Sequence, residues 1–369
     1  MPGARRSALA LIAASALAAI DRRTCAAEKF VTIGINLPLT GAAAEDATNI
    51  LHGAQLAIEE TNAKGGIEGY EIRQLVLDDG TATAGQYDPA QAAINTRKMV
   101  VDSTVVAAIG PMASGSGKAM APLLSQGNLA TVTPSSTNPD LTDPKFAAIY
   151  RPAGKAIYFR TCTTDAFQGP NMANFMAAEL KVKSVFVVDD TGAYGVGLAD
   201  EFQAQAAKRG MQVLGRDRVD PLISDYRPLL TKIRNLGAQA LYCGSSALAG
   251  VKLVKQSYEI MPDAIKAGGD GLHQASILAG AGFPAAQGWY RTIAAPHMLD
   301  DAKVSDWLAK FQNAPRSDYS ITSYDAALVI LAAVGVVAKS GAPVTRVTPY
   351  RPSRSIRCRG PCRSMPTAT

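Results

Sequence analysis

The sequence predicts an α/β protein built from two similar doubly wound lobes in series. Three observations carry that prediction. Apolar runs of strand length alternate with helical runs from residue 29 onward, no two strand runs are joined by a tight hairpin turn, and the alternation restarts once after YRPAGKAIYFRTCTTDAFQGP at 150–170. Parallel neighbours need a crossover and antiparallel ones a hairpin, so strand–helix alternation without hairpins marks parallel sheets.

The elements follow in order. KFVTIGINLPLTG (29–41) reads as a buried strand ending in a turn, and a helix follows from about Thr48 to Asn62 with Leu51, Ala54, Leu56, Ala57 and Ile58 on its apolar face. KGGIEGYEIRQLVLDDG (64–80) is a Gly-rich turn into a strand. A helix over Pro89–Val101, the strand VVAAIG, a helix over about Gly117–Gln126 and the short strand LATVTP complete the first unit. The second unit has a helix near Asn171–Leu180, the strand KSVFVVDD, a helix to Arg209 and the strand MQVLGRDRV. A helix over Tyr226–Leu236 and the strand ALYCG follow, and a last helix lies near Asp325–Ser340.

The 369 residues carry 37 Lys and Arg against 31 Asp and Glu, a net charge of +6. The excess sits at the ends: residues 28–345 hold 27 bases and 30 acids, a net charge of −3. Nucleic-acid binding therefore loses its electrostatic support. The opening MPGARRSALALIAASALAAIDRRTCAAEKF has basic Arg5 and Arg6, an apolar run from Ala8 to Ile20 and small residues at Cys25, Ala26 and Ala27. It is expected to be a signal peptide over 1–27, cleaved before Glu28. The two cysteines of the body, Cys162 and Cys243, are expected to be buried singly rather than paired.

Parallel sheets bind ligands at the carboxyl ends of their strands. The loops there are LPLTG, GPMASGSG, TPSSTNPD, DDTGAYG, GSSALAG and GGDGLH; they come from both units, which places the site in the cleft between them. GPMASGSGK fails as a phosphate-cradling P-loop in both frames. From Gly110, Ser116 stands where Lys is required; counting back from Lys118, Met112 replaces the first Gly and Ala119 the hydroxyl. Lys118 is expected to be a solvated helix residue. His52, His273 and His297 have no metal-ligand spacing, and Gly-x-Ser-x-Gly is absent from the sequence. No cofactor and no catalytic group are expected. Ser114 and Ser116 before a helix can hold a carboxylate, and Ser135, Ser136 and Thr137 present hydroxyls at the next strand end. The bland alternative is an ordinary βα turn with helix-capping serines.

Taken together, LPLTG, HGAQLAIEETNAKGGIEGYEIRQLVLDD, AIGPMASGSGKAMAPLLSQGNLATVTPSSTNPDLT, FRTCTTDAFQGP, VVDDTGAYGVGLAD, TKIRNLGAQALYCGS and SYDAALVILAAV resemble the leucine/isoleucine/valine-binding family of periplasmic solute-binding proteins, over about Phe30–Thr345. The resemblance implies two Rossmann-like lobes joined by a three-crossing hinge and closing on a ligand. The first lobe would comprise 28–151 and 296–342, the second 152–295. It further implies a monomer that delivers a small carboxylate-bearing ligand, foremost an amino acid, to the membrane permease of an ABC importer. A ligand-sensing module, or a binding protein for an amide or aromatic acid, remains the alternative.

By position, the resemblance gives Ser114 the ligand carboxylate, with Ser136 and Thr137 assisting. Tyr194 would face the ligand from the second lobe and Asp270 would pair with its ammonium group. The physics suits an acid there, since a buried cation without a counter-charge is costly. Asp46 and Ser245 stand where branched-chain binders place aromatics, which adds polar groups to the expected site and puts a purely apolar pocket in doubt. The tail RVTPYRPSRSIRCRGPCRSMPTAT (346–369) has no apolar periodicity. A one-base change of frame near Arg346 would turn plausible codons for its last residues into the family's usual ending, so 343–369 is read as a frame-changed remnant of the second lobe's closing strands. Cys358 and Cys362, with no His or acid nearby, do not read as a metal hook.

Overall fold

The computed structural model describes residues 29–312 and 314–346; the expected leader and the tail beyond Arg346 lie outside the described residues. The first lobe runs β1 (Lys29–Leu37), α1 (Ala44–Ala63), β2 (Tyr70–Asp78), α2 (Pro89–Val101), β3 (Val105–Ile109), α3 (Ser114–Gln126), β4 (Ala130–Thr133), α4 (Ala147–Tyr150) and β5 (Tyr158–Arg160). The second runs α5 (Asp165–Ala178), β6 (Ser184–Asp189), α6 (Ala193–Lys208), β7 (Gln212–Arg218), α7 (Arg227–Asn235), β8 (Ala240–Gly244), α8 (Ala247–Ile260), β9 (Ile265–Gly268), α9 (Ala275–Ala281) and β10 (Trp289–Arg291). The chain then returns to the first lobe through α10 (Ser305–Ala309) and α11 (Asp318–Lys339). Each lobe holds a five-stranded parallel sheet, ordered β2-β1-β3-β4-β5 and β10-β9-β8-β6-β7.

Strand β1 is covered on both faces, as expected for a central parallel strand: Ile33, Ile35 and Leu37 on one face are fully buried in the same core as Ile50, Ala54 and Ile58 of α1, and on the other face Asn36 is fully buried as well. Each such side chain contributes roughly 1.5–3 kcal/mol of hydrophobic stabilisation. Helix α11 is long and apolar enough to span a membrane by length and composition alone. Its Tyr319, Ala326, Ala327, Ile330, Leu331 and Val334 instead bury into the first-lobe core. A Cβ at Gly53 of α1 would lie 2.1 Å from the Ser320 carbonyl oxygen, so these two helices meet with no room for a methyl group.

Several boundaries differ from expectation, two of them for a local reason that the packing shows. Helix α3 starts at Ser114 rather than Gly117, because Gly115 and Gly117 are packing glycines. Their Cβ atoms would fall 2.9 Å from the Tyr87 ring and 2.6 Å from the Tyr158 hydroxyl. Helix α11 starts at Asp318, where Ser317 and Ser320 form a reciprocal capping box, and not at Asp325. Helix α5 spans Asp165–Ala178 rather than Asn171–Leu180, and α1 begins at Ala44. The three- and four-residue strands β5, β9 and β10 are too short for apolar patterning to announce them.

The change of lobe expected at residue 152 comes later, because Tyr158–Arg160 pairs with β4 in the first sheet. The chain crosses between Arg160 and Asp165 and again after Arg291. The two crossings are tied where the Thr163 N–H donates to the Ala294 carbonyl at 2.9 Å. A third crossing would lie outside the described residues. The stretch read as starting the second lobe's remnant at 343 is still on the first lobe up to Arg346. There its guanidinium donates to the carbonyls of Val100 and Val105, each at 2.7 Å, and to that of Asp102. Among the described residues Cys162 and Cys243 form no disulfide; Cys243 is buried, as expected, and Cys162 half-buried.

Candidate ligand-binding cleft

A cavity of about 50 Å³ lies between the lobes. The first lobe contributes Gln86, Tyr87, Ser114 and Ser135 to its wall, with Tyr319 from α11; the second contributes Tyr194, Ser246, Asp270 and Gln274. Apolar wall is supplied by Pro38, Ala43, Met112, Ala113 and Ala247.

One end has the chemistry to receive an anion. Helix α3 opens at Ser114 with no side-chain cap, so the N–H groups of its first turn have no intrahelical acceptor and carry the positive end of the helix dipole. The Asn138 N–H donates to Ser114 Oγ at 3.1 Å, which occupies the oxygen as an acceptor and leaves its proton to donate. Behind it, Ser116 donates to Asp79 at 2.5 Å. Burial pushes that Asp79 carboxyl up to about 6, while the hydrogen bond from Ser116 opposes the rise. The neighbouring loop is clamped by Arg160, which donates to the carbonyls of Ser136 at 2.9 Å and Asn138 at 2.5 Å and to the Thr142 hydroxyl at 2.6 Å.

The other end has the chemistry to receive a cation. Asp270 is 7% exposed and accepts at Oδ1 from Gln168 at 2.7 Å and from the Tyr194 hydroxyl at 2.8 Å, and at Oδ2 from the Tyr319 hydroxyl at 2.5 Å. A carboxylate has about four acceptor positions, so one remains, on Oδ2. Burial, then the charge of Asp270, holds both tyrosine hydroxyls well above their ordinary range, which keeps them protonated as donors. The Gln168 amide also donates to Asp165 at 3.1 Å, whose carboxyl is pushed well above the usual range by burial and then by Asp270. Thr292 donates to Gln168 Oε1 at 3.0 Å, so this network joins both crossings to the cation end.

Of the residues singled out in the sequence, Ser114, Tyr194 and Asp270 meet on the cavity wall. Ser136 and Thr137 do not: they are fully buried behind it. The loop folds back so that the N–H groups of Ser135 and Ser136 donate to Thr133 Oγ1 at 3.3 and 2.9 Å, which turns Ser135 to the cavity in their place. Ser245 is likewise buried, and Ser246 lines the wall instead.

Asp46 is not on this wall either. It reaches across the cleft from α1 to accept from the Ser276 hydroxyl at 2.8 Å and the Ala275 N–H at 3.3 Å, capping α9 of the other lobe. Burial raises its carboxyl, and the Ser276 hydrogen bond opposes the rise. Lys118 is not simply solvated: it pairs with Asp140 at 2.7 Å. Sequence reasoning missed Gln86, Tyr87, Gln274 and Tyr319, which lie outside the hydroxyl-rich loops. Among the described residues, no group of three or more His, Cys, Asp or Glu could hold a metal ion.

Residues 31–349 match the family described as periplasmic binding protein. A protein of Brucella melitensis named Leu/Ile/Val-binding protein homolog 3 is 32% identical, the match covering 88% of this chain and 84% of the relative. A leucine-, isoleucine-, valine-, threonine- and alanine-binding protein of Pseudomonas aeruginosa is 28% identical, covering 87% and 82%. In fold, the chain is similar to a branched-chain amino acid transporter substrate binding protein, LivJ, of Streptococcus pneumoniae, solved with isoleucine. The TM-score is 0.72 at 24% identity, over 84% of this chain and 87% of that one.

Proposed function

The chain belongs to the periplasmic binding protein family, and on that premise we propose that it is the extracytoplasmic solute-binding component of an ABC importer, holding an amino acid between its lobes. The observation that carries this reading is the pairing of the uncapped α3 N-terminus and Ser114 on one lobe with Asp270 on the other, across one cavity. An α-amino acid has an anion and a cation on the same carbon, and each meets its complement. Its carboxylate would take the Ser114 proton and the first-turn N–H groups of α3. Its ammonium would take the remaining acceptor position of Asp270.

Each charge-assisted bond is worth about 1.5–3 kcal/mol. Because the donors sit on one lobe and the carboxylate on the other, the ligand interacts fully only when the lobes are together, so binding favours the closed state. The protein then hands the ligand to a membrane permease and performs no chemistry on it. Export through the 1–27 leader and a monomeric state belong to the same proposal.

The test is a thermal-shift screen of the common amino acids and of small carboxylates without an amine. A ligand that binds only the folded state at 100 times its Kd adds about 2.7 kcal/mol of stability. Stabilisation by amino acids, and none by the amine-free acids, is the expected result; stabilisation by an aromatic acid alone would take the ammonium-binding role away from Asp270.

A further inference from the structure

We propose that the cavity selects an amino acid with an uncharged hydrogen-bonding side chain, a hydroxyl or a carboxamide, and that Gln86 and Gln274 set this preference over aliphatic side chains. The inference rests on the amino-acid reading above and narrows it to a ligand class.

Gln86 lies on the cavity wall with only 8% exposure, and its Oε1 is buried with no hydrogen-bond partner. Its backbone is held in place: the Thr81 N–H donates to the Gln86 carbonyl at 3.2 Å, and the Ala42 N–H to that of Gly85 at 2.8 Å. The amide is therefore presented by a braced loop of the first lobe. Gln274 comes from the second lobe. It occupies the N-cap of α9 and makes no capping bond of its own, glutamine not being among the side chains that favour that role. Asp46 supplies that cap from the opposite lobe, which frees the Gln274 amide to line the cavity, again with Oε1 buried and unpartnered.

Two glutamines from different lobes thus line one small cavity, each with a buried amide oxygen that lacks a hydrogen-bond partner. An aliphatic ligand side chain would leave both unpaired in the closed cleft, whereas a hydroxyl or amide could pair with them. Turning either amide end for end replaces a carbonyl with an N–H and still offers a hydrogen bond, so the preference holds in both orientations. The side chain should be uncharged, because Asp270, the one ionisable acid or base other than tyrosine among the described residues of the wall, is already assigned to the ammonium. A site built to hydrogen-bond its ligand rejects the analogue that lacks the group much more strongly than an apolar pocket rejects an added hydroxyl.

Calorimetric titration of the full chain with two near-isosteric pairs, threonine with valine and asparagine with leucine, tests this. The polar member of at least one pair should bind more than tenfold tighter. The near-isosteric variants Gln86→Met and Gln274→Met, checked for an unchanged circular dichroism spectrum, should each shrink that ratio. If neither pair shows the preference while amino acids still bind, the selectivity proposal fails and the amino-acid reading stands. A wild-type preference untouched by both variants removes the two glutamines from the role. Binding of no amino acid overturns both readings together.

Discussion

The Tyr194 hydroxyl donates to Asp270 Oδ1 across 2.8 Å while the N–H of Gly271, the next residue along from Asp270, donates back to that hydroxyl at 2.9 Å. The tyrosine is thereby locked to the strand end that carries the acid, and the carboxylate is oriented before any ligand arrives. Asp270→Asn keeps the shape and removes the charge. Amino-acid affinity should fall by about 30-fold or more, since losing one partner of a buried charge pair costs about 2–5 kcal/mol. Tyr194→Phe leaves the charge in place but removes one donor to Asp270 and the acceptor of the Gly271 N–H, and should cost less, roughly tenfold. Calorimetry on both variants checks the order; equal losses would contradict it.

Ser114→Ala should weaken binding by about tenfold, because one donor to the ligand carboxylate is lost. It should also lower the melting temperature slightly in the absence of ligand. The buried Asn138 N–H loses its acceptor, a cost of about 1–3 kcal/mol. Unchanged affinity would take Ser114 out of the site.

Asp46 bridges the lobes without touching the cavity wall, so its effect should be on closure. Asp46→Ala removes an N-cap worth about 0.5–2 kcal/mol from α9. If that contact belongs only to the closed state, affinity falls by about two- to thirtyfold for every ligand alike, and small-angle scattering of the free protein shows a larger radius. A loss confined to one ligand would instead place Asp46 in direct contact with it.

Buried Asp79 predicts a pH dependence. Its carboxyl is raised from 3.8 to about 6, so between those values the folded state holds a proton that the unfolded state has released. Stability from this group is therefore greatest at low pH and falls as pH rises through that window, by about 3 kcal/mol at most. Asp79→Asn keeps an acceptor for Ser116 and abolishes the titration. Thermal melts from about pH 4 to 7 should show the variant gaining on the wild type as pH rises; parallel curves would refute the assignment.

The α/β alternation, the restart near residue 150 and the Ser114 loop were legible because they are written in local patterns: apolar runs of strand length, glycines and hydroxyls at strand ends. Ser114, Tyr194 and Asp270 were located through the resemblance of whole motifs. Within the hydroxyl loops the errors are errors of facing. In TPSST the hydroxyls of residues 135, 136 and 137 are equivalent on paper, and only the turn back onto Thr133 decides that Ser135 faces the cavity. Ser245 and Ser246 differ in the same way.

By itself, then, the sequence determined the class of fold, the two-lobe plan and the kinds of polar group at the cleft, since these depend on periodicity and on residue types at strand ends. Tertiary structure alone decided that Asp46 caps a helix 229 residues away on the other lobe and that the displaced Gln274 turns to the cavity beside Gln86. Those placements depend on how two separately folded sheets are set against each other, and no local pattern encodes a contact whose partners meet only when the lobes do.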